Sequence, residues 1–208
     1  MKQIIFFLGQ VCSYICPPII RNKFHLIKMH FFAGYKSRNF KAFGKNSTLG
    51  IHTTYIGEHH ISIGTNTHIG DFGRLTAYPY YQHTQQHFTP NISIGNDCSI
   101  GPQSHITAIN NIVIGNNVLT GPRVLITDNS HGTTTLACLE TPPIKRPLVS
   151  KGEVIIGNNV WIGEGAMIMP NVHIGEGAII ACNSVVTTDI PSFAIAAGSP
   201  ATVVKSLK

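Results

Sequence analysis

From about residue 150 onward, the apolar positions recur with a period that belongs to neither a helix nor a plain strand. Ile156, Ile162, Ile168, Ile174, Ile180 and Val186 stand every six residues, and Gly157, Gly163 and Gly175 directly follow their aliphatic neighbour. Four places after each aliphatic residue come Val160, Ala166, Val172, Ala178, Ser184 and Ile190, mostly small. A 3.6-residue helix or a two-residue alternation would not produce this pattern, but short strands joined by sharp turns would. The same rule runs upstream through Ile63-Gly64, Ile69-Gly70, Ile94-Gly95, Ile100-Gly101, Ile106, Ile114-Gly115, Thr120-Gly121 and Ile126. It is broken over residues 74–91, gains two residues between Ile106 and Ile114, and is interrupted by an insertion over 132–153 that keeps the phase. Six extended residues span at most about 20 Å. Three such sides close a triangular coil, and coils stacked about 4.8 Å apart pair as parallel strands. The aliphatic residues then form an internal column. A single hexapeptide cannot bury its apolar face, so stacking is obligatory. The glycines are expected to supply backbone conformations that a Cβ opposes.

The N-terminus follows a different pattern. MKQIIFFLGQVCSYIC places one lysine before a short apolar run, with no small-x-small cleavage site, and the run is shorter than the roughly 20 apolar residues that span a bilayer. Pro17 and Pro18 break any helix there and suit the first turn of the next. From Ile19 to Phe32, Ile20, Phe24, Ile27 and Phe31 have the spacing of an amphipathic helix. Two readings are open: a helix packed on the main body through this stripe, or a basic helix lying on a membrane surface.

Composition supports the repeat. Of 208 residues, 29 are isoleucine, 20 glycine and 15 asparagine, while only 12 % are charged. Rich in β-branched and turn residues, the chain is expected to be one all-β domain rather than a bundle, coiled coil or disordered segment. A net charge of +6 gathers towards the N-terminus, through Arg21, Lys23, Lys28, Lys36, Arg38, Lys41 and Lys45. No nucleic-acid-binding module accompanies it. Five cysteines, of which only Cys12 and Cys16 are close, fit neither a disulfide framework nor a zinc site, and point to a reducing, cytoplasmic compartment.

The candidate chemistry lies where the repeat is interrupted. VLITDNSHGTTT, residues 124–135, ends a coil on Asp128-Asn129-Ser130-His131. His131, at a corner beside a long loop, is placed as a general base, since an imidazole titrates near pH 6.5. The same tetrad is also strong turn chemistry. His83 and His87 have a spacing that can hold zinc on a helix, but they fall in the irregular stretch. The loop over 132–153 is stiffened by Pro142, Pro143 and Pro147 and charged by Lys145, Arg146 and Lys151. It is expected to cover an acceptor channel.

IGNNVWIGEGAMIMPNVHIGEGAIIACNSVVTTDIPSFAIAAGSPATVV closely resembles the hexapeptide-repeat acyltransferases, and more narrowly the sugar and polysaccharide O-acetyltransferases related to maltose and galactoside acetyltransferase. The resemblance covers roughly residues 44–208. It implies a left-handed parallel β-helix there and a homotrimer binding acetyl-CoA between adjacent prisms, with no metal; the residue pattern itself sets an N-terminal helical segment over 1–43 before it. It implies His131 as the base that deprotonates a saccharide hydroxyl, with a backbone N–H stabilising the oxyanion. Asp128 and Asn129 would orient the imidazole, contact the acceptor or cap the turn. His105 falls near an acceptor-binding position, or is a plain corner residue. Trp161, Gly163, Cys182 and Thr187 would line the pantetheine arm, and Lys205 would meet the CoA phosphates, with Lys151 as a second candidate because Thr202 stands where the family often carries arginine. Streptogramin-type drug acetylation, a γ-class carbonic anhydrase-like metal enzyme and a non-enzymatic scaffold share the architecture. The N-terminal helix adds possible contact with a membrane surface.

Overall fold

The computed structural model of the chain describes residues 2–15 and 17–208; Cys16, one of the two close cysteines, lies outside them. Two helices lead the chain, α1 (Lys2–Ile15) and α2 (Pro18–Lys36), and Pro17 caps the second in an extended conformation. The chain then winds into stacked triangular coils. Among the described residues, the sides form two parallel sheets of six strands and a third of seven. Coiling begins at Ala42–Phe43, which pairs with Ser62 and Ile63. Ile94 lies on Ile114, Ile114 on Ile156, and Ile156 on Ile174, eighteen residues on. A second column runs Ile106, Ile126, Ile168, Val186. These side chains, with Cys98, Val118, Val160, Val172 and Ala178 four places after five of them, are at most 2 % exposed and belong to one continuous core. The last strand, Ala201–Ser206, turns back antiparallel on Ala194–Gly198.

The glycine after each aliphatic residue has another cause than the one expected. Gly95 and Gly115 are not in the left-handed region. A Cβ on Gly95 would stand 2.5 Å from the Gly115 carbonyl oxygen, and one on Gly115 would stand 2.8 Å from the Gly157 carbonyl carbon. Close approach of the next coil therefore excludes a side chain. The left-handed residue comes two places later, at Asn66, Asp97, Asn117 and Asn159, with φ of 55–58°. Asparagine and aspartate tolerate that conformation. Their side chains also bond from coil to coil, as in Asn66 Nδ2 to Asp97 Oδ1 at 3.0 Å and Asn117 Nδ2 to Asn159 Oδ1 at 3.2 Å. This corner ladder accounts for much of the asparagine.

Helix α2 corrects the expected packing. It docks on the first coils through Met29 and Ala33, which are 3 % and 1 % exposed, with Phe32 against Tyr55 and with Phe40 and Phe43 beside them. His25 meets Asp71, and Lys36 meets Glu58, each at 2.9 Å. The stripe Ile20, Phe24, Ile27, Phe31 faces away and is exposed. The docking site is a shallow corner that admits alanine and a flexible methionine, not a row of phenylalanines.

Burial also sets a pH dependence. It holds His68 and His105 below the ordinary imidazole range; Arg74 adds to the effect at His105, and Asp71 opposes it at His68. The unfolded chain takes up these protons near pH 6.5, whereas the folded chain does not. The resulting stability is complete above about 6.5 and is lost as pH falls towards the folded values. The thermal midpoint is expected to drop between about pH 7.5 and 5.5, and less so in a His68→Gln/His105→Gln variant. A midpoint that rises on acidification would contradict this.

Candidate active site

Two interruptions of the coil meet on one side of the prism. The first carries an antiparallel hairpin, Tyr80–Tyr81 with Gln86–His87. The second leaves the coil through Asn129–His131, passes a short helix, α3 (Leu136–Leu139), and returns through Leu148–Ser150, paired antiparallel with the outgoing strand. They clasp each other. Tyr81 Oη donates to the Ile144 carbonyl at 2.7 Å, and the Gln86 amide exchanges two hydrogen bonds with the Leu148 backbone at 2.7 and 3.0 Å. Gln86 thus acts as a one-residue strand partner.

Between the clasp and the coil lies a cavity of about 560 Å³, lined by Tyr78, Tyr80, Tyr81, His83, His105, Asn129 and His131 among others. His131 is exposed to it, with its ring edge-on to Tyr81 at 5.7 Å and Nδ1 3.5 Å from the Tyr81 hydroxyl. His105 Nε2 is buried and makes no hydrogen bond among the described residues. Burial holds the His105 imidazole below its ordinary range, with Arg74 adding to the effect, and the residue forms part of the cavity wall.

Asp128, Asn129 and Thr127 tie the coil end. Asp128 is 0 % exposed; its Oδ1 accepts from Ile109 N at 3.0 Å and its Oδ2 from Asn110 N at 2.8 Å. Asn129 Nδ2 donates to Asp128 Oδ1 at 3.0 Å, and the Asn129 N–H donates to Thr127 Oγ1 at 3.2 Å. Asp128 therefore caps the neighbouring corner and is sealed from any acceptor, while Asn129 stays at the cavity wall. Asp128→Ala leaves two backbone N–H groups without an acceptor and is expected to cost about 2 kcal/mol in urea unfolding. A loss of less than about 0.5 kcal/mol would show that the carboxylate is dispensable.

The basic loop is also partly structural. Arg146 Nε donates to Thr141 O at 2.7 Å and Nη2 to Leu139 O at 3.1 Å, so this guanidinium holds its own loop together. Lys145 and Lys151 are exposed. His83 lines the cavity, with its ring 5.3 Å from that of Tyr81. His87 stacks near Tyr80 instead. Among the described residues, no three His, Cys, Asp or Glu side chains converge.

Trp161, Gly163, Cys182, Thr187 and Lys205 lie outside this cavity, on the later coils. Trp161 is 51 % exposed in a ladder with Leu119 and Ile179. Gly163 is buried where a Cβ would come 2.6 Å from the Cys182 nitrogen; Cys182 and Thr187 face solvent. Lys205 pairs with Ile195 on the terminal strand. The tyrosine hairpin was the part of the site not anticipated. Its only sequence signal is the aromatic density of Tyr78-Pro79-Tyr80-Tyr81-Gln82-His83 inside a break in the repeat.

Residues 153–188 match the family described as bacterial transferase hexapeptide (six repeats). The galactoside O-acetyltransferase of Escherichia coli K12 is 34 % identical over 122 residues, covering 56 % of this chain and 55 % of that one. A second protein of that organism, provisionally named a lipopolysaccharide biosynthesis O-acetyl transferase, is 34 % identical over 118 residues, or 55 % and 60 % of the two chains. This chain thus spans little more than half the length of these relatives. The N-acyltransferase AntD of Bacillus cereus, solved with dTDP and 3-hydroxybutyryl-CoA, superposes with a TM-score of 0.69 at 22 % identity over 85 % of this chain and 88 % of that one. It shares the fold, a left-handed parallel β-helix.

Proposed function

We propose that the chain is an acetyl-CoA-dependent O-acetyltransferase whose acceptor is a saccharide hydroxyl, with His131 as general base. The observation that carries the reading is the cavity built where the two interruptions clasp, which gathers His131, Asn129 and His105 against a tyrosine wall. Tyrosine faces and scattered hydrogen-bonding groups suit a sugar ring, which is apolar on its faces and polar at its edge. The relatives named for galactoside and lipopolysaccharide acetylation support a saccharide, including surface-polysaccharide precursors.

The chemistry follows from the imidazole's surroundings. Tyr81 Oη already donates to Ile144, so towards His131 it can only accept, which favours the proton on Nδ1 and leaves the Nε2 lone pair free. Nε2 takes the acceptor's hydroxyl proton as that oxygen bonds to the acetyl carbonyl carbon. The carbon–sulfur bond of the tetrahedral intermediate then breaks, and the imidazolium returns the proton to the departing CoA sulfur. Asn129 and His105, which line the cavity, hold the acceptor's other hydroxyls. Acetyl-CoA runs along the later coils past Trp161, Gly163, Cys182 and Thr187 towards Lys205. The prism of a neighbouring copy closes this groove in a homotrimer, consistent with exposed Leu119, Trp161 and Met167 on the outer faces.

The test is thiol release from acetyl-CoA over a panel of free and nucleotide-linked sugars, chloramphenicol and a streptogramin, with products identified by mass. Acetylation of a sugar hydroxyl is expected. Turnover with the antibiotics alone, or no turnover together with no retention of CoA, overturns the proposal.

A further inference from the structure

We propose that the N-terminal helices form a docking surface for an anionic lipid bilayer. The charge distribution is one-sided. Before Glu58 the chain carries eight Lys and Arg residues and no Asp or Glu; from Glu58 onward, seven basic residues face nine acidic ones, Glu58 included. The apolar residues are distributed just as unevenly. In α2, the 3.6-residue period sets Ile20, Phe24, Ile27 and Phe31 on the side opposite Met29 and Ala33, which hold the helix to the coil. Phe24, Ile27 and Phe31 are 58 %, 61 % and 78 % exposed, and exposed Lys23 and Lys28 flank the stripe on its two sides. A helix that docks through Met29, Phe32 and Ala33 on one side and turns an apolar stripe edged by lysines outward on the other is built to lie in a headgroup layer. In α1, Ile4, Ile5, Phe6, Phe7 and Leu8 are 54–70 % exposed.

A bilayer fits better than a second copy of this surface. Two such surfaces would bring the lysines that edge each stripe, Lys23 and Lys28, against like charge, with no Asp or Glu before Glu58 to offset them. Anionic headgroups attract each lysine by about 1 kcal/mol, or roughly fivefold in partition. No helix among the described residues is long and apolar enough to cross a membrane, so the contact is one of lying on the surface. The His25–Asp71 and Lys36–Glu58 pairs fix α2 to the coil on its other side and leave the stripe free. The inference does not depend on the acceptor.

Flotation of the full chain with vesicles tests it. Vesicles with about 30 % phosphatidylglycerol in phosphatidylcholine are expected to retain the protein at least tenfold better than phosphatidylcholine alone, and to release it in about 0.5 M salt. Phe24→Ser/Phe31→Ser and Lys23→Gln/Lys28→Gln are each expected to lose about tenfold in retention. Their helical circular dichroism and thermal midpoint should be unchanged, because all four side chains are exposed. Failure of the parent chain to float, equal retention by neutral vesicles, or a serine variant that floats as before overturns the proposal. So does a fall in native mass by light scattering in that variant without any vesicle binding by the parent chain, since the stripe then covers a second copy.

Discussion

His131→Ala is expected to lower the rate of acetyl transfer a hundredfold or more at saturating acetyl-CoA, the usual scale for removing a positioned general base. The ring is exposed, and its one polar contact within the fold is the long 3.5 Å approach to Tyr81. Its removal should therefore leave the thermal midpoint and CoA retention where they were. That separation makes the experiment decisive: a loss of turnover with the fold and donor site intact assigns chemistry to the imidazole. Turnover within a few-fold of the parent chain would instead leave His131 as a residue of the excursion turn. His105→Ala serves as the contrast. His105 forms part of the same cavity wall, and its loss should raise the acceptor's KM more than it lowers kcat.

The largest stability effect is expected inside the prism. Ile156 is 1 % exposed and stacks in register between Ile114 and Ile174. Ile156→Ala empties one step of the column. The coils above and below are held by parallel ladders and cannot sink into the gap, so the cost should fall at about 2–5 kcal/mol in urea unfolding at fixed protein concentration. Ile155, its neighbour on the outer face, is half-buried and pairs with Val113 and His173, so Ile155→Ala should cost clearly less. Equal costs at the two positions would mean that the internal column is not what holds the coils together.

Much of this was legible along the chain, and the particular residues show why. Ile156, Ile162 and Ile168 each mark one side of a triangle, because every side must bury one branched aliphatic residue against the coil above. His131 stood out as a candidate because it ends a run of repeats just before an insertion and because the later coils resemble a family with a histidine at that place. The tyrosine hairpin did not. Tyr81 meets Ile144 across sixty-three residues, and Gln86 meets Leu148 across sixty-two, with no period linking the partners. Asp128 could be read equally as ligand or cap until its carboxylate was seen to accept from Ile109 and Asn110.

The sequence by itself determined the coil: its period, its three sides, its internal isoleucine column and the place where the chain leaves it. All of these follow from local rules that repeat at every step. Only the tertiary structure decided which face of α2 meets the coil, why glycine follows Ile94, Ile114 and other aliphatic residues of the column, and what surrounds His131. Each of these depends on a neighbour distant in the chain. A stripe of period 3.6 shows that a helix has an apolar side but not what covers it, and a glycine shows that a Cβ is unwelcome but not whether φ or an approaching backbone forbids it.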